Sequence, residues 1–171
     1  MDAPELLIDA FDRVNDGVHR VMDGLDPGAL MYRPDAEANP IAWLIWHASR
    51  IQDVHLADLV GRAQLWTSAG WAKRFALPLA DRDTGFGHSS AQVDLLGGVV
   101  GELLVGYHDA LTERVRDDVD AVVAAGLDRV VDERWDPPVT AGVRLVSVLE
   151  DSLQHVGQAA YVRGLHGRLA S

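Results

Sequence analysis

The chain contains no cysteine. That excludes a disulfide framework, a cysteine-based zinc site and a cysteine nucleophile. Lysine is nearly absent as well: Lys73 stands alone beside 14 arginines. Positive charge is scarce overall, with 15 basic residues against 26 acidic ones and a net charge of −11. A chain this acidic repels phosphate backbones and anionic lipid surfaces, so neither nucleic acid nor a membrane is expected as a partner. No apolar run reaches the roughly 18–20 residues of a membrane-spanning helix. The opening MDAPELLIDAFDRV is acidic and amphipathic. It lacks the basic start and apolar stretch of a secretory signal, so a cytoplasmic location is expected.

The composition that remains is ordinary: 48% apolar and 24% charged over 171 residues. That length corresponds to one domain, residues 1–171. Leu7, Phe11, Val14, Val18 and Val21 recur at three- and four-residue steps and predict a first helix from about Pro4 to Gly24. Asn39-Pro40 predicts the start of a second, since Asn caps well and Pro suits the first helical position. This helix runs to Gly61, and its first half is apolar all round, which places it in the core. Residues 63–90 break the periodicity and read as a long connection rich in Gly and Trp. Leu95, Val99, Leu103, Tyr107, Leu111 and Val115 predict a third helix from about Ser90 to Asp118, which residues 119–126 can extend by a turn or two. Val130–Val139 reads as irregular, with a short extended piece at most. A last helix spans about Val143 to Leu169. Strand signals are nearly absent, and four long helices with a long crossover predict an all-α four-helix bundle.

Seven histidines are the first chemical candidates. No pair has the spacing of the zincin motif. Asp151 and His155 do stand four residues apart, about 40° around a helix and about 6 Å along it, a separation that lets two side chains grip one ion. His47, among Trp43, Leu44, Trp46 and Ile51 on a buried segment, is the natural third ligand from another helix. His19, His108 and His166 lie among charged or chain-end positions and read as solvated. His55 flanks His47, and His88 sits in a glycine-rich loop that can reach a cleft.

The segments NPIAWLIWHASRIQDVHLADL and DSLQHVGQAAYVRGL resemble the DinB/YfiT-like metalloprotein superfamily. The first is similar to that family's second helix with its W-x-x-x-H ligand. The second is similar to its fourth helix, which supplies two ligands. The resemblance implies a four-helix bundle with a metal held by His47, Asp151 and His155, and Gly157-Gln158 completing the motif. Most relatives carry His where Asp151 stands. GWAKRFALP and DTGFGHS resemble the actinobacterial branch that includes mycothiol S-transferases. That resemblance implies an enzyme conjugating a low-molecular-weight thiol, mycothiol, to electrophilic small molecules, with the thiolate stabilised at the metal.

Two imidazoles and a carboxylate suit Zn²⁺ best, with Ni or Fe as alternatives. Trp46, Arg50, Trp66, Trp71, His88 and Gln158 are the candidates for binding substrate. Gly70, Gly85 and Gly87 supply bends for a loop that covers the site. Gly97-Gly98 and Gly101 would let helices approach closely in a homodimer. Another thiol-dependent metalloenzyme such as an isomerase, a hydrolase, or a non-catalytic metal-binding interaction module are the alternative functions.

Overall fold

Helix α1 (Ala3–Met22) begins in a capping box. The Asp2 carboxylate accepts from the Glu5 amide at 3.0 Å, and the Glu5 carboxylate accepts from the Asp2 amide at 3.0 Å, which satisfies two donors that a helix start otherwise leaves open. A short turn, α2 (Pro27–Leu30), leads into α3 (Ile41–Val60). Pro40 rather than Asn39 is the residue flanking α3, and Asn39 stands outside the helix; Gly61 ends it in the left-handed region. Short helices α4 (Leu65–Ser68), α5 (Trp71–Phe75) and α6 (Ser90–Val93) follow. The bundle is completed by α7 (Gly101–Ala125), a small antiparallel pair β1 (Val130–Asp132) and β2 (Val139–Thr140), and α8 (Ala141–Leu169). The computed structural model describes residues 1–169. The all-α bundle predicted from periodicity is the observed architecture.

The third long helix starts later than expected. The four-residue rhythm continues back through Leu95, but Gly97 and Gly98 interrupt it, so Asp94–Leu96 form a 3₁₀ turn and α7 begins at Gly101. Its other end runs past Asp118 to Ala125. Gly97 and Gly98 therefore lie in a turn and offer no helix face to a second copy, while Gly101 abuts Met22 of α1.

In the bundle, α3 packs against α8 and α7, and α1 packs against α7 and α8. Cross-helix pairs fix the directions. Ser49 meets His108, and Arg62, just past α3, meets Asp118, so α3 and α7 run parallel. His47 meets Asp151 while His55 meets Arg144, so α3 and α8 run antiparallel. Gly17 abuts Val156 and Arg163 reaches the Val21 carbonyl, so α1 and α8 run parallel. Because α3 and α7 are parallel, the chain must return the whole length of a helix between them, about 30 Å for 20 residues. Residues 62–100 make that return, and they lie across α3 on the side of His47.

A buried ionic network ties this crossover to the bundle. Arg50 and Asp53 are both fully buried on α3. The Asp53 carboxylate accepts from the Leu65 amide (2.9 Å), the Trp66 amide (2.8 Å) and the Tyr107 hydroxyl (2.8 Å). It thus caps α4 from below. Arg62 forks onto Asp118 with contacts of 3.1 and 2.7 Å, joining the start of the crossover to α7. Burial beside the Asp53 charge pushes the Tyr107 hydroxyl well above its ordinary pKa, so it stays protonated and donates.

Candidate metal centre

His47, Asp151 and His155 come together on the α3–α8 seam, with one ligand atom from each lying within 4.8 Å of the others. Asp151 Oδ1 is 3.9 Å from His47 Nε2 and 3.6 Å from His155 Nε2. The two imidazoles meet edge to face at 4.8 Å. His47 is almost wholly enclosed, while the side chains of Asp151 and His155 keep 30% and 17% of their exposure, so the group opens to solvent on the α8 side.

The hydrogen bonds on the far side of each ring decide what faces inward. The carbonyl of Thr84 lies 2.5 Å from His47 Nδ1. A carbonyl oxygen can only accept, so Nδ1 carries the proton and Nε2 presents a bare lone pair. The Gln158 side-chain oxygen lies 2.9 Å from His155 Nδ1 and orients that ring in the same sense. With both rings neutral, two ring lone pairs and a carboxylate converge, three acceptors with no donor of their own. Asp151 Oδ2 is buried and has no hydrogen-bond partner among the described residues, and a buried unpaired carboxylate oxygen is costly. A cation resolves both conflicts, so the donor set and its geometry fit a divalent metal. Burial opposes ionisation of Asp151, yet its contacts with His155 and His47 outweigh burial and hold its carboxyl below the usual range. His155 is shifted the other way: burial lowers its pKa, but the neighbouring Asp151 carboxylate and the hydrogen bond to Gln158 prevail and raise it, so a proton on His155 Nε2 competes with a cation for the same place.

Aromatic packing frames the site. Trp43 stacks on His47 with 4.6 Å between ring centroids and 12° between planes, and meets His155 edge-on at 5.9 Å. Gly85 in the crossover fits directly against this group. Its φ is +91°, and a Cβ there would stand 2.9 Å from Trp46 and 3.1 Å from His47 Nδ1. Only glycine allows the backbone to approach so closely. Gly70 and Gly87 also adopt positive φ, as bends in the same connection.

Each residue expected to bind substrate is buried or has a partner within the protein. Trp46, Arg50, Trp66 and Trp71 are buried, because the crossover closes over α3 and its aromatics join the core. Trp66 and Trp71 pack on Tyr107 at 5.3 and 5.6 Å. Arg50 donates to Gln64, Tyr107 and the carbonyls of Asp81 and Asp83. The His88 side chain is 3% exposed, bound to Trp43 and Asp83. Gln158 is exposed, but its side chain holds His155.

The remaining histidines divide differently from expectation. His108 is buried rather than solvated, donating to Ser49 at 3.0 Å, because Ser49 already gives its own proton to the Ile45 carbonyl. His19 pairs with Asp109 at 2.7 Å, and His166 packs edge-on against Tyr32. His55 lies farther along the seam, accepting from Arg144 at 3.3 Å; burial and the Arg144 charge push its pKa down. Two groups around the site carry no signal in the sequence: the Thr84 carbonyl against His47, a backbone atom, and Asp83, which pairs with His88 and resembles any other loop acid.

His55, Arg144, Gln64, Arg82 and Asp132 line a polar cleft of about 870 Å³ between the crossover and the β1–β2 hairpin. Eight residues separate His47 from His55 on α3, so the cleft begins about 12 Å from the three converging side chains. Among the described residues no helix is long and apolar enough to cross a membrane.

No curated protein matches the chain. A conserved protein from Enterococcus faecalis, known from a crystal structure, superposes with a TM-score of 0.87 at 29% identity, over 95% of this chain and 96% of that one. The sequence profile of the DinB superfamily matches residues 10–159. With that match reaching all four long helices and containing the three converging side chains, the chain belongs to the DinB superfamily.

Proposed function

We infer that the protein is a metal-dependent S-transferase that conjugates a low-molecular-weight thiol, mycothiol in the first instance, to electrophilic small molecules. The observation that carries this is the convergence of His47 Nε2, His155 Nε2 and Asp151 Oδ1, with both far-side ring nitrogens already committed as donors. A divalent ion bound there, zinc by the fit of two imidazoles and one carboxylate, would act as a Lewis acid toward a thiol sulfur. The free thiol, with a pKa of about 8.5, is otherwise mostly protonated at neutral pH.

The protein's own groups supply orientation and enclosure. Thr84 and Gln158 hold the two imidazoles, and Trp43 closes the apolar side of the group by stacking on His47. Asp151 and His155 face the open side, where a sulfur can approach. The chain has no cysteine, so the nucleophilic sulfur comes from the thiol substrate. The cleft beyond His55 is lined by both donors and acceptors, among them Gln64, Arg82 and Asp132, which suit the hydroxyls of a sugar-bearing thiol.

The test is conjugation by zinc-loaded protein of a chromogenic aryl halide in the presence of mycothiol, glutathione or cysteine. Turnover that requires both zinc and a thiol, and that disappears in His155→Ala, supports the assignment. A zinc-loaded wild type that accelerates conjugation with none of the three thiols contradicts it.

A further inference from the structure

We propose that Arg50, Asp83 and His88 are positioning residues for the metal centre: they clamp the Thr84 carbonyl onto His47 Nδ1 and so set metal affinity without touching the ion. The proposal rests on the assignment of His47, Asp151 and His155 as a metal site. The Thr84 peptide is held from both sides. Ahead of it, Arg50 Nε donates to the Asp83 carbonyl and Arg50 Nη2 to the Asp81 carbonyl, both at 3.2 Å. Behind it, Asp83 Oδ1 reaches across Thr84 to accept from the Gly85 amide at 2.8 Å. The His88 amide then donates to the Gly85 carbonyl at 3.0 Å.

The His88 side chain completes the clamp. The Trp43 indole N–H can only donate, so His88 Nδ1 accepts it at 3.1 Å and carries no proton. His88 Nε2 therefore holds the proton and donates to Asp83 Oδ1 at 3.0 Å. Trp43, which stacks on His47, is thereby linked through His88 to the same carboxylate oxygen that braces the Thr84 turn. His47 is fixed twice from one anchor, by its ring face and by its far-side nitrogen. Neither Asp83 nor His88 belongs to the converging group, and both His88 ring nitrogens are already engaged, so their effect passes through the orientation and tautomer of His47.

The experiment compares wild type, Asp83→Ala and Asp83→Asn. Zinc affinity is measured by competition with a chromophoric chelator, and the His47 tautomer by nitrogen NMR of the apoprotein. The Asn oxygen can still accept from Gly85 and His88, so Asp83→Asn should bind zinc within about threefold of wild type, with His47 protonated on Nδ1. Asp83→Ala should weaken zinc binding about 10- to 100-fold and shift His47 toward the Nε2-protonated tautomer, while the apoprotein stays folded. A loss of stability alone would not move the tautomer, so that readout separates positioning from simple support of the loop. Wild-type zinc affinity in Asp83→Ala, or an Nε2-protonated His47 in wild type, would overturn the proposal and leave the metal site standing. A wild type that binds no zinc would overturn the site assignment and this proposal together.

Discussion

Arg50 and Asp53 stand one turn apart on α3, both fully buried, with 3.7 Å between Nη1 and Oδ2. Asp53 is the acceptor on which Tyr107, two α4 amides and the Arg62 guanidinium converge. Removing it leaves the Arg50 charge and several donors uncompensated in the core. Asp53→Ala should therefore cost about 3–5 kcal/mol, measured by urea denaturation of the metal-free protein. A loss below about 1 kcal/mol would show that water or rearrangement replaces the carboxylate.

Gly85 links loop conformation to the candidate centre. Its positive φ and the 2.9 Å separation of a built Cβ from Trp46 leave no room for a side chain. Gly85→Ala should destabilise the fold by about 1–3 kcal/mol and move the Thr84 carbonyl away from His47. Zinc binding should weaken in the same variant. Denaturation and chelator competition check the two effects, and unchanged values for both would contradict the close approach.

His108 gives a pH prediction whose sign follows from burial. Desolvation pushes its pKa down to about 4; the Asp109 charge opposes this shift and His19 adds slightly to it. The unfolded side chain titrates near 6.5. Between those values the unfolded chain binds more protons, so the stability due to neutral His108 is fully present above about pH 6.5 and is lost as pH falls toward 4. The contribution is on the order of 3 kcal/mol over that window. Denaturation midpoints from pH 7 to pH 4 should fall less steeply for His108→Gln than for wild type. Parallel pH profiles would contradict a buried neutral imidazole.

The parts of the fold that were legible in sequence are those written as periodicity. Phe11, Val14, Val18 and Val21 mark one face of α1, and the apolar run around His47 marks a helix buried on most sides. The Asp151–His155 spacing puts two side chains on one helix face, and the bundle supplies His47 opposite them. The start of α7 was hidden because Leu95 and Val99 keep the four-residue rhythm on both sides of Gly97-Gly98, where the helix cannot continue. The burial of Arg50 was hidden for another reason. Its partners, Tyr107, Gln64 and the carbonyls of Asp81 and Asp83, are brought to it only by the crossover, and two of them are backbone atoms. The burial of Trp66 and Trp71 was hidden because the sequence does not reveal that the crossover lies down on α3 rather than standing away from it.

The most direct test of the central claim is the metal content of protein purified gently, without added metal, from wild type, His47→Ala and His155→Ala. The convergence of His47, Asp151 and His155 predicts close to one equivalent of zinc or a similar divalent ion in wild type, lost in both variants while each remains folded. No metal in wild type, or the same content in all three proteins, would contradict it.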